Sequence, residues 1–337
     1  MENSETGSRK DKKVFVTGGT GLVGSHLINQ LILQGHDVIA VYRGAIPPQQ
    51  VSDKINWIKG DILDVIFLDE VMINIDKVYH CAARISFNPR HKESMLHVNV
   101  KGTANVVNAA LNANVDKLCY VSSVAALGEQ GNAGLIKETA TYTEQKYSST
   151  YSLSKHLAET EVWRGIGEGL KCVIVNPTII LGTGDWTSGS TQIFKTAYEA
   201  FPWYADGVNG FVDVNDVVKA MMTLMNSQVS GERFIVSGDN KTYREVFTAI
   251  ANSFGKRPPY KKVTSFLAAL VWRMEALKSM FTGSEPLITK GTATDALMKM
   301  EYDNGKLKTL VPSFVYTPFQ ETIDRVCMDL RKRYSLL

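Results

Sequence analysis

An apolar run, Val14-Phe15-Val16-Thr17, passes directly into Gly18-Gly19-Thr20-Gly21-Leu22-Val23-Gly24 and then into residues with helical spacing. Few patterns leave a backbone less choice. A turn this tight needs a residue without Cβ at Gly18, close approach of a ligand needs bare backbone at Gly21, and a helix pressed on its own strand needs Gly24. The free N–H groups of the first helical turn then face an anion, which in a strand–turn–helix unit of this kind is the pyrophosphate of a dinucleotide. The glycines by themselves also fit a turn that binds nothing, so the decision rests on the residues that follow.

The 337 residues suffice for one large core or two unequal lobes, and 44% hydrophobic with 21% charged residues is a globular composition. A formal net charge of +3 with Lys and Arg spread along the chain leaves no nucleic-acid footprint. The basic groups Lys10 to Lys13 and Arg331-Lys332-Arg333 read as solvated tails, and residues 1–12 as a disordered lead-in without the apolar core of a signal peptide. Cys81, Cys119, Cys172 and Cys327 have no paired spacing and imply neither disulfide nor metal site; buried thiols and a cytoplasmic location are expected. Residues 266–272 are the most membrane-like stretch but fall short of the roughly 20 apolar residues of a span. With Arg273 and Glu275 following at once, a packed helix is expected there in preference to an interfacial anchor, and no integral membrane segment.

Between residues 13 and 181 apolar runs alternate with helix-length segments, the signature of βαβ units. Strands are expected at residues 14–17, 37–42, 55–59, 77–82, 117–122 and 171–176, and helices at 22–34, 97–112 and 151–165. Gly and Ser then dominate residues 182–190, where the chain departs to a second lobe. A helix is expected at 191–200, a loop at 201–209, a return to the first lobe at 211–216 with a helix at 217–226, and a strand at 233–237. Further helices are expected at 243–254, 263–281 and 292–298, with Pro258, Pro259 and Pro286 as breakers. The expected fold is α/β: a Rossmann-type, doubly wound parallel sheet formed by residues 13–181 plus 211–236, with a smaller, mainly helical C-terminal substrate lobe from 182–210 plus 237–337.

Further signals fall where the glycine turn predicts them. Some 20 residues on, at the end of the second strand, a dinucleotide fold places an acid for a ribose 2′-OH or a basic group for a 2′-phosphate. This chain has Arg43, whose fork suits a phosphate; the other reading is a solvated strand-end Arg. Asp61, with Ile62 beside it, either accepts from an adenine amino group or is a plain turn aspartate. Ala82-Ala83 ends the next strand with residues small enough to admit a ribose. Asn99, among apolar neighbours, is either structurally satisfied or part of a proton relay. Ser122-Ser123 ends a strand, and Tyr151 and Lys155, four apart, share a helical face. A phenol is a poor base at neutral pH, and a neighbouring ammonium is expected to lower its pKa.

Taken in order, Thr17 to Gly24, Asp61-Ile62, His80-Cys81-Ala82-Ala83, Asn99-Val100-Lys101-Gly102-Thr103, Ser122-Ser123, Tyr151…Lys155 and Asn176-Pro177-Thr178 resemble the extended short-chain dehydrogenase/reductases, the NAD-dependent epimerase/dehydratase superfamily. The likeness is nearest to its branch of dihydroflavonol reductases and 3β-hydroxysteroid dehydrogenases, and it extends from about residue 13 to 320, because residues 211–217 also resemble the family's return to the cofactor lobe. The resemblance implies catalytic roles for Ser123, Tyr151, Lys155 and Asn99, the last joined to Lys155 through water. It places Thr17, Gly18, Thr20, Gly21, Leu22, Val23, Gly24, Arg43, Asp61, Ile62, Ala82, Ala83, Tyr151, Lys155, Pro177 and Thr178 around the cofactor, and Ser86 and Phe87 at the substrate. Arg43 aligns with the arginine that the reductase branch uses against the 2′-phosphate, so NADP is expected, with NAD the alternative. Two helices, residues 97–112 and 151–165, resemble those that form the family's homodimer.

Residues 192–211 carry one Lys, Lys195, and six aromatics, Phe194, Tyr198, Phe201, Trp203, Tyr204 and Phe211. Such residues are more often core than pocket, yet as a wall they suit an apolar ligand better than a sugar diphosphate. The expected activity is NADPH-dependent reduction of a small-molecule ketone or aldehyde, or oxidation of the alcohol, by hydride transfer. The alternatives are an NAD-dependent nucleotide-sugar epimerase or dehydratase, and a non-catalytic nucleotide sensor.

Overall fold

The computed structural model describes residues 13–46, 53–86, 88–128, 134–142, 149–264, 267–270, 272–275, 294 and 296–336. The first half runs β1 (Lys13–Thr17), α1 (Leu22–Leu33), β2 (Asp37–Tyr42), β3 (Ile55–Lys59), α2 (Val65–Val71), β4 (Lys77–His80), α3 (Lys92–Leu96), α4 (Gly102–Asn112), β5 (Lys117–Val121) and α5 (Thr150–Gly167). Then come β6 (Cys172–Pro177), β7 (Ile179–Leu181), α6 (Gln192–Tyr198), β8 (Trp203–Tyr204), β9 (Val208–Asp213), α7 (Val214–Asn226) and β10 (Glu232–Val236). The rest is β11 (Asp239–Thr242), α8 (Tyr243–Ser253), β12 (Lys261–Lys262), α9 (Gly305–Leu310) and α10 (Phe319–Tyr334).

Seven strands form one sheet in the order β10-β6-β5-β4-β1-β2-β3, each pair parallel. Its central strands are apolar throughout because both faces are covered; every residue of β5 and β6 is buried. On one face Leu27, Ile28 and Leu31 of α1 meet Met221 and Leu224 of α7, and on the other Leu68 of α2, Val106 and Val107 of α4, and Ala158 and Val162 of α5 form the second core layer. The order reverses between β4 and β1, so the crevice for a ligand opens at the carboxyl ends of those strands.

A second sheet, β11-β9-β7, packs with α6, α8 and α10 around Phe194, Phe211, Ile250 and Ile323. The doubly wound sheet and helical lobe expected from the sequence are both present. Four particulars differ. Arg331-Lys332-Arg333 is the last turn of α10, not a solvated tail; the cations stand at the negative end of the helix dipole, and Arg331 donates to the Ser253 carbonyl at 3.0 Å. The expected loop at 201–209 contains β8, which pairs with β12, and the start of β9. Leu307 and Phe314, expected in the substrate lobe, pack in the α1/α7 layer of the large sheet. The described end of the helix expected at 292–298 is a turn leading to a bridge between Lys299 and Val208, and residues 276–281 of the other expected helix lie outside the described residues.

Candidate active site

The glycine turn holds β1 against β4 as well as turning the chain. Gly18 has φ +69°, and a Cβ there would come 2.6 Å from the Ala82 nitrogen. A Cβ on Gly24 would lie 2.2 Å from the Gly18 oxygen, so α1 sits on its own strand only through a bare Cα. Gly21 is different: a Cβ would meet only the Gly18 oxygen at 3.3 Å, and Thr20 and Gly21 face outward. No side chain caps α1 and no acid stands in its first turn, so among the described residues no side chain covers the N–H groups of that turn. That is a cradle for the phosphates of a dinucleotide, and the residues present fit one.

Two residues singled out for the adenosine end meet each other. Arg43, at the end of β2, lies 3.6 Å from Asp61 across an exposed gap. Asp61 also accepts from the Leu63 N–H at 3.0 Å, the geometry of a turn aspartate, and keeps a second oxygen toward Arg43. Ile62 is buried against α4, where Gly102 leaves it room.

Beneath this edge runs a chain of neutral hydrogen bonds. Thr103 Oγ1 donates to the Asn99 carbonyl at 2.6 Å, so toward His80 Nε2, 3.0 Å away, it accepts. His80 Nδ1 is therefore the acceptor of the Thr17 hydroxyl at 2.6 Å, and Thr17 Oγ1 accepts in turn from the Ala82 N–H at 3.3 Å. Burial, and next the charge of Lys155, push His80 down to about 3, so it stays a neutral connector at any ordinary pH. Asn99 stands in a π-helical turn, His97–Lys101, that leads into α4. Its side-chain oxygen accepts from the Arg84 N–H at 2.7 Å, and its amide donates to the Arg84 carbonyl at 2.9 Å and to Ser154 Oγ at 3.0 Å. Of the two readings of a buried Asn here, the side chain takes the structural one: it ties the segment after β4 to α5. Ala83 lies on the exposed side of that segment.

Ser123 follows β5 and caps a short 3-10 turn, its Oγ accepting from the Ala125 N–H at 3.1 Å. Tyr151, the second residue of α5, hydrogen-bonds the Ser123 side chain. Burial raises the Tyr151 phenol above its ordinary value and the Ser123 contact opposes that rise. Lys155, one turn on from Tyr151, is held by the strand beneath the helix. Its Nζ donates to the Val121 carbonyl at 2.8 Å and to the Tyr120 hydroxyl at 3.4 Å, and lies over the Tyr120 ring, because α5 rests directly on β5. Burial lowers Lys155 to about 8, with Glu159 pulling it back upward.

Glu159 is a residue the sequence reading passed over. One turn beyond Lys155 and buried, its carboxylate accepts from Ser122 Oγ at 2.5 Å, Asn176 Nδ2 at 2.8 Å, Trp163 Nε1 at 3.2 Å and Arg233 at 2.9 Å. Asn176 also donates to the Ser123 carbonyl at 3.0 Å, so the carboxylate holds the backbone on both sides of the Ser122–Ser123 bond. Arg233 reaches on to the carbonyls of Glu138 and Ala140, binding residues 134–142 over the site. Gly128 completes that crossing, since a Cβ there would meet the Thr141 oxygen at 1.6 Å.

Ser123, Tyr151, Pro177 and Thr178 open into a cleft of about 600 Å³, and none of the described residues lining it is charged. Its far wall comes from Tyr243, Phe247, Met298, Met300 and Tyr302. None of the six aromatics of residues 192–211 lines it: Phe194 and Phe211 are core, the commoner reading of such residues, Tyr198 packs on Trp186 and Phe254, Phe201 is exposed, and Trp203 and Tyr204 form β8. Ile85 lines the cleft, whereas its neighbour Ser86 is buried against His91 at 2.9 Å; Phe87 lies outside the described residues. Among the described residues no cluster of His, Cys, Asp or Glu could hold a metal, and no helix is long and apolar enough to cross a membrane.

Comparison with known proteins agrees with this geometry. The sequence pattern of the NAD dependent epimerase/dehydratase family matches residues 14–237. The chain is 28% identical over 300 residues to a putative dihydroflavonol 4-reductase of Synechocystis, covering 87% of each chain. It is 27% identical over 263 residues to cinnamoyl-CoA reductase 1 of Petunia hybrida, covering 73% of this chain and 78% of that one. Its fold matches UDP-glucose 4-epimerase of Thermotoga maritima, solved with UDP-glucose, with a TM-score of 0.76 at 20% identity over 96% of this chain and 99% of that one.

Proposed function

The chain belongs to the NAD dependent epimerase/dehydratase family, and from that premise we propose that it is an NADPH-dependent reductase of an uncharged ketone or aldehyde, able to run in reverse as an alcohol dehydrogenase. The cleft carries this reading: Ser123 and Tyr151 face a space of about 600 Å³ with no charged side chain in its described lining. A sugar diphosphate is an anion, and burying it there would cost several kcal/mol, since the described lining offers no Lys or Arg to meet it. The similarity to reductases supports the same choice.

The residues divide the work by position. Thr17, Gly18, Thr20, Gly21, Leu22, Val23 and Gly24 hold the pyrophosphate; Asp61 and Ile62 take the adenine; Ala82, Ala83 and Lys155 take the inner ribose; Pro177 and Thr178 lie along the nicotinamide. Arg43 selects the 2′-phosphate, exchanging its distant, exposed contact with Asp61 for a closer anion. When bound, the dinucleotide supplies or accepts the hydride. Ser123 Oγ accepts from Ala125, and its proton, shared with Tyr151, is the one it would turn to the substrate oxygen. Tyr151, held protonated by burial, donates to that oxygen as it becomes an alkoxide. Asn99 acts as a positioning residue through Arg84 and Ser154.

The test is Tyr151→Phe on a panel of uncharged carbonyl compounds with NADPH. Turnover is expected to fall by at least about 100-fold while NADPH affinity changes less than about threefold; retained turnover overturns the assignment. A nucleotide that survives purification, with no consumption of added NADPH by any compound, would favour the epimerase or dehydratase reading.

A further inference from the structure

On the lobe that carries the far wall of the cleft, cations and aromatic rings pair along the β8/β12 ribbon and the loop that leads into it. Arg257 lies 4.0 Å from the Tyr260 ring centroid, Lys261 lies 5.7 Å from the same ring and 5.2 Å from Trp203, and Arg244 lies 4.8 Å from Tyr204. Backbone pairing makes these one unit: β12 runs beside β8, and the Tyr260 and Lys261 N–H groups donate to the Pro202 carbonyl at 3.0 and 2.8 Å. Among the described residues none of Arg244, Arg257 and Lys261 has a carboxylate in ion-pair range; Lys262 alone is paired, with Asp206. Of the five cations that stand against one acid from Lys256 to Glu275, four thus lie over ring faces and, among the described residues, Lys262 alone meets an anion. Pro258 and Pro259 stiffen the loop that presents Arg257 and Tyr260.

The chain continues from this surface into a helical stretch, opened by Thr264, whose carbonyl accepts from the Ala268 N–H at 2.8 Å. Ala268 is buried, while Leu270 is 48% and Met274 61% exposed, four residues apart on one face, with Arg273 stacked on the neighbouring Trp272 at 4.6 Å. Tyr260 is 51% exposed and Phe201 47%. Unpaired cations, interfacial aromatics and, a few residues further along the same chain, exposed aliphatic side chains are the components of a surface that lies on a bilayer. A nucleic-acid surface would use the cations and rings but gives no purpose to Leu270 and Met274.

We propose that the surface formed by Trp203, Arg257, Tyr260, Lys261 and the Leu270/Met274 face is a docking site for an anionic lipid bilayer. Docking there would set the wall of the uncharged cleft beside a phase in which apolar carbonyl compounds concentrate, but the proposal stands on the surface and is read without any turnover. The test is co-sedimentation of the full chain with phosphatidylcholine vesicles containing one-third phosphatidylglycerol, against pure phosphatidylcholine. Binding is expected only to the mixed vesicles, and it should weaken with salt. Arg257→Gln with Lys261→Gln should weaken it about fivefold for each cation removed, and Met274→Ser should weaken it further, with the urea midpoint of each variant unchanged. No binding to mixed vesicles at low salt, binding that the paired substitution leaves intact, or release of the protein from vesicles by competing duplex DNA would overturn the proposal.

Discussion

Two buried polar clusters flank the Ser123–Tyr151 pair, and they are built on opposite plans. Thr17, His80, Thr103 and the Asn99 carbonyl form a line in which every donor has one acceptor and no member is charged. Glu159 and Arg233, with Ser122, Asn176 and Trp163, form a charged node. The neutral line joins β1, β4 and α4 beneath the glycine turn, and each bond in it is worth about 1 kcal/mol net. The charged node joins β5, α5, β6, β10 and the segment over the cleft, and it survives burial only because its carboxylate has four donors and its guanidinium three acceptors. The frame of the glycine turn is therefore held by interactions that tolerate a loss, and the frame of Ser123 by one that does not.

Removing the carboxylate should produce the largest effect. Glu159→Ala leaves Arg233 without its counter-charge and is expected to cost about 3–5 kcal/mol in urea unfolding. Glu159→Gln combined with Arg233→Met should cost less than Glu159→Ala alone, because no orphaned charge remains; an equal or greater cost would mean that the node is not held by its charges. The pH dependence of stability separates the clusters next. Folded His80 stays neutral down to about pH 3, whereas in the unfolded chain it takes a proton below about 6.5. The unfolded state thus binds more protons in that window, and stability falls as pH is lowered from 6.5 toward 3, by up to about 1.4 kcal/mol per unit. Between pH 7 and 5, His80→Gln should lose less stability than the natural chain, and parallel losses would place the cost of acid elsewhere. The smallest effect is expected at Thr103→Val, which strands the His80 Nε2–H and should cost about 1–3 kcal/mol, with Thr103→Ser restoring it. A Thr103→Val loss matching that of Glu159→Ala would erase the distinction between the two plans.

What the sequence makes legible follows the same division. The glycine turn and the Tyr151…Lys155 face are local, each contained in a strand–turn–helix unit or a single helical turn, and both stand where the spacing implies. Glu159 was hidden because its partners are remote: Arg233 is 74 residues away, and nothing about a lone Glu in α5 says that it turns inward. The acceptors of Lys155 are hidden for a related reason, since Val121 and Tyr120 lie on the strand beneath the helix. Aromatic content at residues 194–211 does not mark the cleft, since Phe194, Tyr198 and Phe211 fill the lobe's core and Phe201 is exposed. The true far wall, from Tyr243 to Tyr302, belongs to segments with no motif of their own.

Asp213 accepts from the Asn215 N–H to cap α7, and its other oxygen accepts from Thr322 at 2.8 Å and Arg325 at 2.5 Å on α10. Asp216, in the first turn of the same helix, accepts from the Thr317 N–H at 2.7 Å. The helix that covers one face of the large sheet thus waits for partners 101 to 112 residues further along the chain. Closing so long a loop is an entropic step that must precede its reward. During refolding, α7 should therefore acquire full protection against hydrogen exchange only when α10 docks, so that the two lobes reach the native state in one event.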